Sequence, residues 1–104
     1  TGSGWWHWLI VNIPADIQKI RADASAKKTL PKGALETTTD YGHAGFGGAC
    51  PPQGDKAHRY VFTVHALDVE SLPIQAETKS AVVGFMINQH TIRKASMISY
   101  YQRD

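Results

Sequence analysis

The chain has little cysteine, little net charge and no long apolar run, and each shortage excludes a class of protein. Cys50 is the only cysteine among 104 residues, so neither an internal disulfide nor a cysteine-cluster metal site can form. The formal charge is only +2, and the basic residues are scattered, so we predict no nucleic-acid partner. No uninterrupted apolar run approaches the length that a membrane-spanning helix needs, so we predict no integral membrane span.

The composition that remains is that of an ordinary globular domain. Apolar residues make up 42% and charged residues 19% of the chain, and the length suits one domain with a modest core. No signal peptide is recognisable, and we assign no compartment. Because Thr1–Gly4 runs directly into a strand-like segment at Trp5, we expect the chain to begin inside a domain.

Alternating and β-branched segments predict four strands. Trp5–Ile13 is apolar on both alternating faces and is followed by Pro14, which is typical of a strand buried on both sides. His58–Asp68 alternates well and predicts a second long strand. Ala34–Thr39 and Ala95–Gln102 predict two further strands. A strand apolar on both faces is unsuited to an exposed edge, so we expect the first strand to be flanked by upstream sequence or by a second copy in a homodimer.

One segment near the end has helical spacing instead. In Glu77–Thr91, apolar residues recur at spacings of three and four positions, and Thr78 is the predicted N-cap. Residues 15–33 read as a long connection with one helical turn, and residues 40–54 as a loop that holds five of the nine glycines. Strands joined by long loops, with one late peripheral helix, predict a mainly β domain of sandwich type.

His7 is the first candidate for chemistry. It lies among three tryptophans in a strand that should be buried, and a buried imidazole needs a hydrogen-bond partner. One interpretation is a core histidine satisfied by the backbone. The other is a ligand-binding imidazole in a pocket lined by strands.

The loop Gly47–Gly54 is the second candidate. Glycines allow backbone N–H groups to converge on an anion, and Pro51 and Pro52 stiffen one wall of such a site. The alternative is a plain irregular connection. The loop matches neither the phosphate loop of nucleotide hydrolases nor the dinucleotide fingerprint, and we predict no cofactor.

The third candidate is the start of the second long strand. The Tyr60 hydroxyl, close to the strand start, can donate a hydrogen bond to a phosphate. His58 and Arg59 can do the same, or can hold the preceding loop in place. In the alternative interpretation, His58 and Arg59 face solvent and Tyr60 packs.

Three segments, WWHWLIVNIPA, GGACPPQGDKAHRYVFTVHALD and SAVVGFMINQHTIRKAS, occur in this order. With them the chain resembles the phosphatidylethanolamine-binding protein family, which includes the Raf kinase inhibitor protein. The resemblance covers nearly all of the chain, and the Gly-Gly-Ala-x-Pro-Pro loop and doubled tryptophan are nearer to the bacterial homologues. The middle segment, with His-Arg-Tyr opening a strand after a Pro-Pro loop, is the specific part.

The resemblance implies an antiparallel β-sandwich with peripheral helices and a small pocket at one end. That pocket takes an anion such as a phosphate or a phospholipid head group. Matched by motif, the residues at its ligand-binding positions are His7, Cys50, Pro51, Pro52, His58, Arg59 and Tyr60. The family's Asp-Pro-Asp-x-Pro motif and N-terminal strands are absent, so the resemblance implies the C-terminal portion of a domain, which would pair with that N-terminal portion.

Three functions follow from these observations. The first is a non-enzymatic binding module for a small anionic or phospholipid-like ligand, and the family adds regulation of a kinase or protease by binding. The second is a hydrolase with Cys50 as nucleophile and a histidine as base. Pro51 argues against it, since proline offers no N–H to an oxyanion hole. The third is a purely structural interaction protein.

Overall fold

Two antiparallel two-stranded sheets and two helices make up the structure, a computed structural model that describes residues 4–104. The elements in chain order are β1 (Leu9–Val11), α1 (Ala24–Lys27), β2 (Leu35–Thr37), β3 (His58–Leu67), α2 (Ser80–His90) and β4 (Thr91–Tyr101). Strand β1 pairs with β2, and β3 pairs with β4. The mainly β prediction is confirmed, as are the helical turn, the short strand β2 and the late helix. Two separate pairs of strands do not by themselves make a sandwich.

Strand β1 is much shorter than the predicted strand from Trp5 to Ile13. Before Leu9 the backbone bonds to a loop instead of a strand, because Asp40 N donates to Trp6 O at 3.1 Å. After Val11 the strand ends because Asn12 adopts a left-handed φ of 62°, a conformation that asparagine tolerates better than most residues. Sequence alternation could not reveal either limit, since both depend on distant hydrogen-bond partners.

The Asn12 side chain fastens a distant segment to the end of β1. Its Oδ1 accepts from the Leu72 N–H at 2.6 Å, and its Nδ2 donates to the Leu72 carbonyl at 3.2 Å. Both backbone groups of Leu72 are therefore satisfied by one amide. As a result, Leu72 and Ile74 are held where they can join the core.

The core lies between β1 and α2. Its buried members are Leu9, Val11, Leu72, Ile74 and Val83, with partly buried Trp6, Leu35, Leu67, Met86 and Ile87 packed against them. On β1 the odd-numbered side chains are buried and Ile10 is only half-buried. The expectation that both faces of this strand are fully buried is therefore wrong within the described residues.

Helix α2 begins without the predicted cap. The N-cap position is Lys79, and no side chain caps the helix there. The Thr78 hydroxyl instead accepts from the Gln75 N–H at 3.0 Å, so it stabilises the preceding turn. The helix is followed at once by β4, which begins four residues before the predicted start at Ala95 because Thr91 is already extended.

Strands β3 and β4 form a long ribbon that exposes apolar side chains on both faces. Directly opposed residues such as Phe62 and Met97 lie on one face, and Val61 and Ile98 lie on the other; all four are exposed. Val64 is 73% exposed. Antiparallel sheets normally pack one face on a core, and an isolated two-stranded ribbon is marginally stable. Within residues 4–104, no helix is long and apolar enough to cross a membrane.

Shortening Val83 should destabilise the fold, since its side chain is completely buried at 0% exposure. We expect Val83→Ala to lower the free energy of unfolding by about 1.5–3 kcal/mol, from lost apolar burial and the cavity left behind. Val82→Ala is the matched control on the same helix: Val82 is 47% exposed, and alanine favours a helix. Chemical denaturation measures both; equal losses in the two variants would contradict the core assignment.

The ribbon predicts that residues 1–104, expressed alone, associate. Both apolar faces need cover, so we expect species larger than a monomer by light scattering. Replacing Val64, Met97 and Ile98 by lysine should reduce the association, because charges on the faces oppose stacking. A stable, folded monomer of the unmodified 104-residue chain would count against this prediction.

Candidate functional site

The imidazole of His7 lies at the centre of a group of polar and aromatic residues. His7 Nδ1 is 2.8 Å from the Gly48 carbonyl oxygen. Its ring packs edge-on against Tyr41 and Tyr60, with centroid distances of 5.4 and 5.3 Å. We call His7, Tyr41, Gly48 and Tyr60 the His7 cluster. It joins three parts of the chain that are far apart in sequence.

Asp40 positions the backbone that carries His7. Its Oδ2 accepts from the Trp6 N–H at 2.7 Å, and its Oδ1 accepts from the Ser80 hydroxyl at 2.9 Å. The Gly47 N–H donates to the His7 carbonyl at 3.0 Å. The backbone on both sides of the His7 side chain is thus bonded to one loop, and the same loop is bonded to the first residue of α2.

Gly47 is required by the close approach of Tyr41. A Cβ atom at residue 47 would lie 2.1 Å from Tyr41 Cε2, far inside van der Waals contact. Only a residue without a side chain lets the tyrosine ring lie across the loop. The Tyr41 hydroxyl then reaches both His7 Nδ1 at 3.2 Å and the Gly48 oxygen at 3.3 Å.

Tyr60 carries a protonated hydroxyl at the edge of this cluster. Burial raises the pKa of Tyr60 above its ordinary value of 10.0, and the nearby ionisable groups of Tyr41, Cys50 and Tyr101 add to the rise. The phenol therefore stays protonated at neutral pH. None of the side-chain hydrogen bonds within residues 4–104 engages this hydroxyl, so it can donate to a ligand.

The three candidate residues of the Pro-Pro loop differ in their exposure and in their partners. Pro51 is buried, whereas Cys50 and Pro52 are exposed. The Cys50 Sγ has Arg103 Nη1 at 3.5 Å as its partner, and within the described part of the chain no imidazole bonds to it. Between residues 47 and 54, the atom that contacts the His7 imidazole is the Gly48 carbonyl oxygen and not the thiol.

The two remaining sequence candidates lie outside the His7 cluster. His58 Nε2 contacts Asp55 Oδ2 at 3.2 Å, in an exposed pair three residues apart. Arg59 is exposed, and alternation along β3 places it on the face opposite to Tyr60. Although His58, Arg59 and Tyr60 are neighbours in sequence, they therefore do not all lie on the same face of β3.

Sequence reasoning missed Tyr41 and Asp40. Both lie at the start of the glycine-rich loop, where an Asp-Tyr-Gly sequence reads as ordinary turn chemistry. An aromatic residue six to seven positions before two adjacent glycines was the available signal for a ring lying on the loop. Asp40 gave none, because its partners Trp6 and Ser80 are 34 and 40 residues away.

A cavity of about 570 Å³ is lined by residues 20–26 and 43–46 together with Trp8 and Phe62, and no residue of the His7 cluster lines it. Four large apolar side chains line it, from Trp8, Ile20, Phe46 and Phe62. Within residues 4–104, no group of three or more His, Cys, Asp or Glu side chains is placed to hold a metal ion.

Known proteins share this arrangement of strands and loop. The family model for phosphatidylethanolamine-binding protein matches residues 1–102. The UPF0098 proteins YbcL and YbhB of Escherichia coli are 47% and 44% identical over 98% and 97% of this chain. The crystal structure of E. coli YbcL, described as a new member of the mammalian PEBP family, matches with a TM-score of 0.92 at 46% identity over 100% of this chain.

The chain therefore belongs to the phosphatidylethanolamine-binding protein family, which confirms the resemblance in its motifs. It spans only part of the length of these relatives: 57% of YbcL and 64% of YbhB in sequence, and 65% of the YbcL chain in the crystal structure. A UPF0098 protein of Methanothermobacter thermautotrophicus is 33% identical over 95% of this chain and 64% of its own length.

Replacing Gly47 by alanine should disrupt the His7 cluster. The new methyl group must displace the Tyr41 ring, and we expect the free energy of unfolding to fall by about 1–3 kcal/mol, as for other overpacked sites. Gly84→Ala is the control, because a Cβ there would make only an ordinary contact of 3.5 Å with Trp6 and alanine stabilises a helix interior. Denaturation and NMR shifts of Tyr41 and His7 measure the effect. Unchanged shifts in Gly47→Ala would contradict the packing described.

Proposed function

We propose that this chain supplies the anion site of a non-enzymatic binding module whose ligand carries a phosphate, as phospholipid head groups do. The observation that carries the proposal is the contact between His7 and Tyr60, whose rings lie 5.3 Å apart although 53 residues separate them. Two groups that can bond a phosphate oxygen are thereby brought to one place. Family membership supports a binding module in general terms.

The proposed site uses three kinds of group. The Tyr60 hydroxyl donates a hydrogen bond, His7 offers Nε2, and backbone N–H groups of the glycine-rich loop assist. Pro51 and Pro52 form a stiff wall beside them. Hydrogen bonds to a charged ligand contribute about 1.5–3 kcal/mol each, so two or three suffice for specific binding.

His58 and Arg59 take a supporting role in this proposal. The contact between His58 and Asp55 holds the end of the loop against the start of β3, and Arg59 lies on the opposite face from Tyr60. In this proposal neither residue touches the ligand, and His58 alone fixes the loop. Arg59 is therefore the matched control for substitutions at His7 and Tyr60.

The fold supports a larger domain around this site. We propose that the two strand pairs belong to one antiparallel β-sandwich, completed by a further portion of a longer protein. The apolar side chains on both faces of the ribbon need other parts of a protein packed on them. More than a third of the length of each of the two relatives lies outside the region that matches this chain. A pocket carboxylate would also come from that portion.

Removing the His7 imidazole or the Tyr60 hydroxyl should weaken phosphate binding. In the full-length protein that carries this chain, we expect His7→Ala and Tyr60→Phe each to raise the Kd about tenfold to a hundredfold, the equivalent of roughly 1.4–2.8 kcal/mol. Arg59→Ala is the control and should leave the Kd within about twofold, since it loses no direct contact. Calorimetry with inorganic phosphate and with glycerophosphoethanolamine measures these values and distinguishes free phosphate from a lipid head group.

Equal losses in the Arg59 control would show that charge in general, not the His7 cluster, attracts the anion. Binding of neither probe by the unmodified protein would end the proposal of a phosphate site. Binding of glycerophosphoethanolamine alone would identify the head group as the ligand class.

Cys50 should be dispensable. Since Arg103 is the partner of its Sγ and no imidazole within residues 4–104 bonds to it, we expect Cys50→Ser to change the Kd by less than about tenfold, or 1.4 kcal/mol. A catalytic thiolate would react rapidly with iodoacetamide near neutral pH, so slow alkylation is expected. Rapid alkylation, or a larger loss of binding, would favour the hydrolase alternative.

A further inference from the structure

The proton on His7 has a fixed position. A carbonyl oxygen can only accept a hydrogen bond, and the Gly48 oxygen lies 2.8 Å from His7 Nδ1. Nδ1 must therefore carry a hydrogen whenever this contact is made. A lone pair on Nδ1 would instead face the lone pairs of the carbonyl at the same distance.

The Tyr41 hydroxyl fits the same arrangement. The Gly48 oxygen has two lone pairs, so it can accept from His7 Nδ1–H and from Tyr41 O–H, whose oxygen is 3.3 Å away. The hydroxyl is also 3.2 Å from Nδ1, and within residues 4–104 it is the group placed to donate to an unprotonated Nδ1. The contact between Nδ1 and the Gly48 oxygen is shorter, at 2.8 Å, and it decides between the two arrangements.

We infer that Gly48 fixes neutral His7 as the Nδ1–H tautomer, so that Nε2 faces the site as a hydrogen-bond acceptor and a phosphate binds there only with a shared proton. This inference rests on the proposed function for its ligand. The proton lies between Nε2 and one phosphate oxygen. It comes either from a phosphate monoanion, whose P–OH donates, or from solvent, which converts His7 to the imidazolium that binds a dianion. Both routes give the same complex, with one proton more than neutral His7 and the fully ionised phosphate.

Among residues 4–104, no group is hydrogen-bonded to His7 so as to supply another proton at Nε2. The side chains packed on its ring are Tyr41 and Tyr60, and Cys50 and Tyr101 influence the latter. The nearby carboxylate of Asp40 bonds to the Trp6 N–H and to the Ser80 hydroxyl. No side-chain hydrogen bond within residues 4–104 uses His7 Nε2. The acceptor is therefore available to the ligand.

Nitrogen-15 NMR of the imidazoles in the full-length protein tests the tautomer directly. At a pH where His7 is neutral, we expect the pattern of a protonated Nδ1 and an unprotonated Nε2. His58 is the internal control, because its Nε2 contacts Asp55 Oδ2 at 3.2 Å and should show the opposite tautomer. An Nε2–H pattern for His7 would overturn the inference.

The variant Tyr41→Phe separates the carbonyl from the hydroxyl as the group that fixes the proton. It keeps the ring and removes the O–H, so His7 should remain protonated on Nδ1. A change of tautomer in this variant would overturn the assignment to Gly48, because it would make the hydroxyl the controlling group.

Calorimetry tests the shared proton. With O-phosphoethanolamine, a phosphomonoester that is mostly a dianion at pH 8 because its second pKa is about 6, binding measured in buffers of different ionisation enthalpy should show uptake of about one proton per ligand. Glycerophosphoethanolamine, a diester without a P–OH, should also require uptake of one proton, and here it can come only through His7.

Binding of either probe without proton uptake would overturn the inference and leave the proposed function intact. If no phosphate compound binds while His7 shows the Nδ1–H pattern, the proposed function fails and the tautomer assignment stands.

Discussion

The Asp40 carboxylate is the constraint on which the site depends. Its two oxygens bond the Trp6 backbone and the Ser80 side chain, which begins α2. One side chain therefore fixes the distance between the segment that carries His7, the glycine-rich loop and the helix that covers the core. A carboxylate that accepts two hydrogen bonds in a partly buried position is costly to leave unpaired. The loop consequently folds against His7 as part of forming the core.

The His7 cluster shows how a flexible loop type can give a rigid site. Glycines cost conformational entropy on folding, but here Gly47 and Gly48 each have a compensating contact. Gly47 makes room for the Tyr41 ring and donates its N–H to the His7 carbonyl, and Gly48 accepts from the imidazole. The tautomer of His7 is fixed by the loop backbone, which places the Gly48 carbonyl beside Nδ1. Replacing His7 removes the imidazole and therefore cannot show which tautomer it had.

The sequence predicted the long elements well because their information is local. The alternation of His58–Asp68 and the helical spacing of Glu77–Thr91 correspond closely to β3 and α2. The short first strand was overestimated, since its limits are set by Asp40 and Asn12, whose partners are distant in the chain. In the candidate site, His7 and Tyr60 were predicted from their places in apolar strands and from the family motifs. Tyr41 was missed because its ring reaches His7 by lying across Gly47, a contact that only the three-dimensional packing shows.

Trp5 gives the cluster an intrinsic optical reporter. Its indole is 58% exposed and packs edge-on against Tyr41 at a centroid distance of 5.7 Å. The other two tryptophans have different surroundings: Trp6 lies against Gly84 of α2, and the Trp8 Nε1–H donates to Glu36 at 2.7 Å. A movement of the Tyr41 ring must therefore change the polarity around the Trp5 indole, whereas the Trp6 indole reports on α2 and the core, and the Trp8 indole also packs against Phe46 of the loop at 5.2 Å. The emission spectrum of this unlabelled chain can distinguish rearrangement of the site from loss of the core.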